Sequence, residues 1–391
     1  MINIAFFHQH FLVQTEVISA LKRLPGIRVV VIDIADHPSE KQSQSACAAL
    51  SSQKCSVLFT INDWGLDGEN VIAAYCKENA IIQVNWCVDD PFFSETMFGR
   101  ALCPAPNRID FVSDRAYVPA MRKRGLNAHF LALAADPTIF FPSKDPPGYK
   151  RDLCFVGNSY RKQIEEFCAQ CEGLMERLVP FMADVLNRYE KNMRIDIEQE
   201  VSNELDHYEL PAPLSRQKAL FIIKHFISYL FRKKIICNLS PEFPDFMAFG
   251  DALWAVDLPK EKVSTGVGYY TNLRETYRET RVNLDINRIV ITEGLTQRVF
   301  DCLACGAFII TNNKPIINEF FVADGPEKEV VTFDNEQHLN RLINHYVKHE
   351  SERNDIIYRG RRRVLLEHTY DHRIQNLFKI LSEHLNGSMR P

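Results

Sequence analysis

The sequence has no apolar run long enough to cross a bilayer, no large excess of either charge, no internal repeat and no low-complexity segment. Each absence removes a class of protein. The longest apolar stretch, residues 219–231, contains Lys224 and His225 and falls short of the roughly 20 residues a spanning helix requires. A net charge of −4 offers no electrostatic footprint for nucleic acid. No Gly-x-Gly-x-x-Gly follows a candidate strand, which argues against an enzyme built on a redox dinucleotide. The opening MINIAFFHQHFLVQ lacks the basic region and small-residue cleavage site of an export signal, and reads instead as a first buried strand.

What is present is ordinary in amount and informative in arrangement. A chain of 391 residues, 46% hydrophobic and 25% charged, is long enough for two domains with full cores. Eleven cysteines without an export signal point to a reducing cytoplasm rather than a disulfide framework. The expected location is therefore cytoplasmic. Arg232, Lys233 and Lys234 follow the apolar stretch, so peripheral contact at the inner face of a membrane is a second reading. A helix packed on its own domain is the first.

The amino-terminal part alternates short apolar strands with amphipathic helices. Strands are expected over 3–7, 28–33, 56–60, 81–85 and 108–112, with helices over 15–23, 43–50, 70–79 and 116–124. This rhythm implies a parallel sheet covered on both faces, whose ligands bind beyond the carboxyl ends of its strands. Three polar loops fall there: His8-Gln9-His10, Asn62-Asp63-Trp64, and Trp86 to Pro91 with Asp89 and Asp90. Residues 1–135 are read as this first domain. Residues 136–150, with Pro137, Pro142, Pro146, Pro147 and Gly148, lose periodicity as a linker does. A second α/β domain is expected over 151–370, with a helical insertion at 161–240, strands over 152–156, 252–256, 281–285, 307–311 and 329–332, and a closing helix at 371–391.

The richest stretch is residues 291–311, ITEGLTQRVFDCLACGAFIIT. Glu293 and Asp301 are carboxylates separated by seven residues. A helix starting near Thr296 would turn its free amides and positive dipole end toward whatever lies beyond Gly294, which suits a phosphate. Arg298 and Asp301 share one face at i, i+3, while Leu295, Val299 and Leu303 can face the core. Gly157-Asn158 follows a strand directly, where a glycine lets backbone approach a ligand closely.

These residues also carry a resemblance. Leu153 to Asn158, Tyr277-Arg278 with Val282-Asn283-Leu284, Gln297 to Asp301 with Ala304-Cys305-Gly306, and Glu367 to Tyr370 with Arg373 resemble the CgeB-like glycosyltransferase family, mainly over 150–385. Val88-Asp89-Asp90-Pro91 resembles a segment of the domain often joined to it. The resemblance implies a GT-B fold: two Rossmann-like doubly wound domains facing a cleft. It also implies transfer of a sugar from a nucleotide diphosphate sugar of the UDP type, with no cofactor and no obligatory metal. The spacing of Glu293 and Asp301 is similar to the paired-glutamate motif of retaining GT-B transferases, in which the first acid meets the donor sugar and the second binds the ribose hydroxyls. The second acid here is aspartate, one methylene shorter.

On this reading the cofactor-side set is Gly157, Asn158, Arg278, Gly294, Leu295, Thr296, Gln297, Arg298 and Asp301. The cations of that set would answer the negative charge that develops on a departing diphosphate, and Arg161 is a further candidate. The catalytic set is Glu293 with Asp89, Asp90 and His8, the last three as groups that orient or deprotonate an acceptor hydroxyl. The acceptor itself, protein, glycan or lipid-linked saccharide, stays open. No metal set is expected. Cys168/Cys171 and Cys302/Cys305 mimic a four-cysteine zinc site, but the gap between the pairs is far too long for the usual spacing. The alternative to an enzyme is a noncatalytic nucleotide-sugar sensor or assembly partner that keeps the fold.

Overall fold

The computed structural model describes residues 1–143, 148–171, 173–212 and 214–388. Pro146 and Pro147 of the expected linker, and the last three residues of the expected closing helix, lie outside them. The chain divides into two compact units: Met1–Ala134 with Glu293–Leu295 and His368–Pro391, and Ala135–Thr292 with Thr296–Glu367.

Unit 1 runs β1 (Ile2–His8), α1 (Gln14–Arg23), β2 (Ile27–Asp33), α2 (Glu40–Ser52), β3 (Val57–Ile61), α3 (Val71–Glu78), β4 (Ile82–Cys87), α4 (Phe93–Phe98), β5 (Arg108–Val112), α5 (Val118–Lys123) and β6 (Ala128–Phe130). All the strands pair in parallel, in the order β2-β1-β3-β4-β5-β6. Every residue of β3, β4 and β5 is buried, as expected of central strands covered on both faces. The edge strand β2 instead alternates partly buried and exposed residues along most of its length. Two elements lack a sequence signal. The helix α4 buries no side chain, and β6 is three residues long, so neither leaves a periodic pattern.

Unit 2 runs β7 (Arg151–Val156), α6 (Arg161–Cys168), α7 (Leu174–Lys191), α8 (Ile197–Leu205), α9 (Arg216–Glu242), β8 (Met247–Phe249), β9 (Val263–Ser264), α10 (Leu273–Arg278), β10 (Thr280–Asp285), α11 (Gln297–Ala304), β11 (Ile309–Asn312), α12 (Ile317–Phe320), β12 (Val331–Phe333), α13 (Glu336–Lys348) and α14 (Glu350–Glu367). Its strands are also parallel, in the order β9-β8-β7-β10-β11-β12. Counted along the chain this is 3-2-1-4-5-6, the Rossmann order. The helices α6 to α9 form the insertion between the first two strands. The last helix, α15 (Tyr370–Ser388), packs back on α1 in unit 1. Arg23 pairs with Asp371 at 2.7 Å there, and Arg373 donates to the carbonyls of Ala132 and Leu133.

One expected strand is a different element. Residues 252–256 form a 3-10 turn, because Asp251 accepts from the Leu253 amide at 3.0 Å and caps the start of a helical turn, a job suited to a short acidic side chain. The strand of that position is β8, which follows α9 after only a few residues and is too short to show alternation.

The apolar stretch at 219–231 lies inside α9. Ile222, Ile223, Ile227 and Phe231 are fully buried in the core of unit 2. Lys224, Lys233 and Lys234 pair with Glu198, Asp257 and Glu190 respectively. The apolar side chains of this stretch are thus turned into the domain, while Lys233 and Lys234 stay at its surface. Among the described residues no helix is long and apolar enough to cross a membrane.

Candidate functional site

In an open α/β sheet, ligands bind where the strand order reverses, beyond the carboxyl ends of the two strands that diverge. In unit 2 that point lies between β7 and β10. Gly157 follows the first strand and Asp285 ends the second.

Asp285 is 0% exposed and is the hub of the site. Its Oδ1 pairs with the Arg298 guanidinium. Its Oδ2 accepts from Thr296 Oγ1 at 2.9 Å, Thr311 Oγ1 at 2.9 Å and Asn287 Nδ2 at 3.2 Å. Thr296 stands at the N-cap of α11, yet its hydroxyl turns to Asp285, and the helix start carries no side-chain cap. The first-turn amides of α11 therefore keep the anion-binding character of a helix N-terminus.

Arg298 lies over the Phe155 ring at 5.3 Å. Burial opposes its charge, but Asp285, together with Tyr277 and Tyr160, holds the guanidinium protonated more firmly than usual. Arg232 stands in the same field. Its Nε donates to the Ile286 carbonyl at 3.1 Å, and its guanidinium lies near the rings of Phe155 (5.5 Å) and Tyr160 (5.7 Å). Arg288 stacks on Tyr160 as well, at 5.1 Å. Burial, then the nearby Arg298 charge, lower the Arg232 pKa to about 9, with Arg288 adding to the effect. A buried cation held against its own neighbours is stabilised by an arriving anion. The cluster thus has the electrostatics of an anion site whose cationic charge exceeds what Asp285 balances.

Gly157 is packed beneath this cluster. A Cβ there would stand 2.9 Å from the Phe155 ring and 3.1 Å from Arg298 Nη2. Its carbonyl accepts from Trp254 Nε1 at 2.9 Å, and Gly250 lies so close that a Cβ would overlap that same carbonyl. Gly250→Ala is expected to destabilise unit 2 by about 1–3 kcal/mol, the usual cost of overpacking. A thermal melt measures this directly, and an unchanged midpoint would show that the segment gives way freely. Asn158 is exposed beside Gly157, while Ser159 donates through its amide and hydroxyl to Asp251, each at 2.7 Å.

Asp301 is 1% exposed and accepts from Tyr269 Oη at 2.7 Å. Gln297 Nε2 donates to the same Tyr269 oxygen. Asp301 is buried and Arg298 partly buried in this arrangement, and their polar partners differ: Asp285 for Arg298, Tyr269 for Asp301. Tyr269 also packs edge-on against Phe140 and Tyr270. Arg278 is not brought to the switch point. It precedes β10, so a strand of six residues, about 20 Å long, separates it from the Asp285 end, and it pairs with Glu275 at 2.9 Å. Arg161 is occupied by Glu165 and Asp257.

Glu293, Gly294 and Leu295 count with unit 1. The Glu293 amide donates to Asp114 Oδ1 at 2.9 Å, and its carbonyl accepts from the Arg115 amide at 3.1 Å. Gly294 bridges Asp114 in an antiparallel pair, where a Cβ would meet Ser113 O at 2.9 Å. The glycine is thus required by the backbone opposite it. The Leu295 side chain is buried, whereas Glu293 is exposed.

The other candidates of unit 1 lie along the carboxyl edge of its parallel sheet, whose order reverses between β1 and β3. His8 Nδ1 stands 3.0 Å from Asp33 Oδ1. Asn62 donates to Asp89 Oδ2 at 2.9 Å and accepts from the Val88 amide at 2.8 Å, so it ties the loops after β3 and β4 together and presents an exposed Asp89. Asp90 accepts from the Phe92 amide at 2.8 Å, the behaviour of a turn aspartate. Asp63 pairs with Arg108, which also holds Asp110. Burial pushes the Asp63 carboxyl upward against the pull of Arg108. Trp86 is fully buried and donates to the Leu131 carbonyl at 3.1 Å, while the half-buried Trp64 packs on Phe11 at 4.6 Å. Cys168, Cys171, Cys302 and Cys305 are all free thiols, and burial pushes the last two well up.

Asp285, Arg288 and Tyr269 were not singled out by sequence, and Arg232 only as part of the basic cluster after the apolar stretch. Asp285 had a usable signal, a carboxylate ending an apolar strand ahead of the helix that carries Arg298. Tyr269, in a loop, had none.

Comparison with known proteins agrees with this architecture. Residues 229–379 match the glycosyl transferase-like family. No curated protein matches the chain. A glycosyltransferase from Rickettsia africae ESF-5 superposes with a TM-score of 0.54 and 8% identity, over 98% of each chain. Anabaena Alr3699/HepE, solved in complex with UDP and glucose, superposes with a TM-score of 0.57 and 11% identity, over 98% of this chain and 100% of that one. The same protein has been solved with UDP-glucose, with the same TM-score and coverage. The two parallel six-stranded sheets make the fold GT-B, and residues 229–379 carry the likeness to the glycosyl transferase-like family.

Proposed function

We propose that the protein transfers a sugar from a nucleoside diphosphate sugar of the UDP type to an acceptor hydroxyl, without a metal at the donor. The observation that supports this best is the cationic cluster of Arg298 and Arg232 beside the uncapped start of α11, at the strand-order reversal of unit 2. In the reaction the anomeric C–O bond breaks and its electron pair goes to the diphosphate. Arg298, Arg232, Arg288 and the first-turn amides receive that charge, and preorganised donors of this kind contribute most where charge develops. The acceptor oxygen forms the new bond to the anomeric carbon and gives up its proton.

Glu293 is assigned to the donor sugar and Asp301 to the ribose diol. Tyr269 Oη already donates to one carboxylate oxygen of Asp301, so the ribose diol would share that carboxylate with Tyr269 or displace it. Asp89, held by Asn62, and His8 are the groups available to take the acceptor proton, with Asp90 the weaker candidate because it caps a turn. Retention of the anomeric configuration is the favoured outcome, and NMR of the product tests it: an inverted linkage would overturn retention and leave the donor site standing.

The direct test is a thermal-shift comparison of nucleoside diphosphates. A ligand at 100 times its Kd adds about 2.7 kcal/mol of stability, so UDP should raise the melting midpoint visibly; no shift with any nucleotide would defeat the donor site. Glu293→Gln, altered at an exposed side chain whose backbone holds the fold contact, should lower kcat by about 10^2- to 10^3-fold with UDP affinity unchanged. Tight UDP binding with no turnover in the unaltered protein would favour the noncatalytic sensor.

A further inference from the structure

The carboxyl ends of β1 and β2 gather a set of ligating groups, of which only His8 has a place in the proposed transfer. His8 and Asp33 end the two strands and face each other directly in the parallel register. His10, two residues on, adopts a left-handed backbone (φ 61°), uncommon for a residue other than glycine. Its ring lies 4.2 Å from that of His8. His8 Nδ1 is 3.0 Å and His10 Nε2 3.6 Å from the same oxygen, Asp33 Oδ1. One ligand atom from each of the three residues lies within 4.8 Å of the others, the only such group of His, Cys, Asp or Glu among the described residues.

We propose that His8, His10 and Asp33 bind a divalent transition-metal ion, zinc being the best match. The distances carry this assignment. Zinc bonds of about 2.0–2.1 Å set the edge of a ligand tetrahedron near 3.3 Å, and the two observed separations, 3.0 and 3.6 Å, bracket that value. Two imidazoles and a carboxylate form a borderline-soft donor set that suits zinc over magnesium or calcium. Three protein ligands leave a fourth position for water or a hydroxyl, the pattern of open rather than closed zinc sites.

The competing account is a simple His8–Asp33 hydrogen bond. The side chains of His10 and Asp33 are 76% and 72% exposed, and an ion pair so exposed contributes little to stability. That account leaves the turned-back His10 unexplained. The proposal concerns unit 1 alone and stands or falls independently of the donor site in unit 2.

The test is titration of Co2+ into the full chain under a non-thiol reductant, followed by visible absorption, with zinc competing the ion away. The expected result is one equivalent bound, with ligand-field bands of a nitrogen–oxygen site and no thiolate charge-transfer band. Affinity should fall at least about tenfold in both His10→Gln and Asp33→Asn, since even a partner behind a ligand is commonly worth that much. Both positions are exposed, and metal-free melts of the variants check that each remains folded. Absence of binding to the unaltered protein, a thiolate signature, or affinity unchanged in either variant would overturn the assignment.

Discussion

Asp285→Ala is expected to be the most damaging single substitution in unit 2, lowering stability by about 3–5 kcal/mol. The carboxylate is fully buried and satisfies Arg298, Thr296, Thr311 and Asn287 at once. Its removal leaves a largely buried guanidinium without its counter-charge, a change that typically costs that much, and strips the Thr311 and Thr296 hydroxyls of an acceptor. For a domain of this size the melting midpoint should fall by on the order of 10 °C. Asp285→Asn separates shape from charge: it retains acceptor geometry for the hydroxyls and loses the ionic pairing. If both variants melted like the unaltered protein, Asp285 would not be the hub described.

Arg232→Met should behave in the opposite way, and the contrast identifies the anion site. Arg232 is buried beside two other guanidiniums, and burial and its cationic neighbours already weaken its hold on its proton. Methionine of similar length fills the space without the charge, and replacing a buried ion by an apolar side chain of similar volume is often neutral or stabilising. The melting midpoint of the free protein should therefore hold or rise. UDP affinity should fall by roughly 10- to 100-fold, the range for one charge-assisted hydrogen bond. Calorimetric titration beside a melt of the free protein measures both effects. A lowered midpoint with unchanged UDP affinity would make Arg232 purely structural and remove the observation on which the donor site rests.

The same residue shows why the sequence was only partly legible. Arg232, Lys233 and Lys234 read as one basic cluster when taken as letters. On α9, successive side chains turn by about 100°, so Arg232 enters the core while Lys233 and Lys234 reach Asp257 and Glu190 outside it. Rotation, invisible in composition, divides the triplet between a candidate binding role and a surface role. The central strands were legible because burial on both faces leaves continuous apolar runs, and α11 because its apolar stripe and N-cap agree. The 3-10 turn at 252–256 was not legible. Its apolar residues suit a strand, and only Asp251, bonded to Ser159 far away in sequence, forces the turn.

Within the motif at 291–311, spacing located both acids but not their surroundings. Asp301 is covered by Tyr269, and Glu293 is fixed through its backbone by Asp114. Both partners come from distant parts of the chain, so no local pattern could have signalled them.

The return of α15 to unit 1 bears on how the protein is made. Its contacts with α1, with the carbonyls after β6 and with Trp86 join segments that more than two hundred residues separate. At translation rates of about 5–20 residues per second, the first sheet leaves the ribosome on the order of ten seconds or more before its covering helix is synthesised. During that interval the surface α15 will cover is open to solvent and to chaperones, and the residues of unit 2 must be synthesised before unit 1 can close. The unit that begins first therefore finishes last, and a chain stopped at residue 367 would lack part of its first domain.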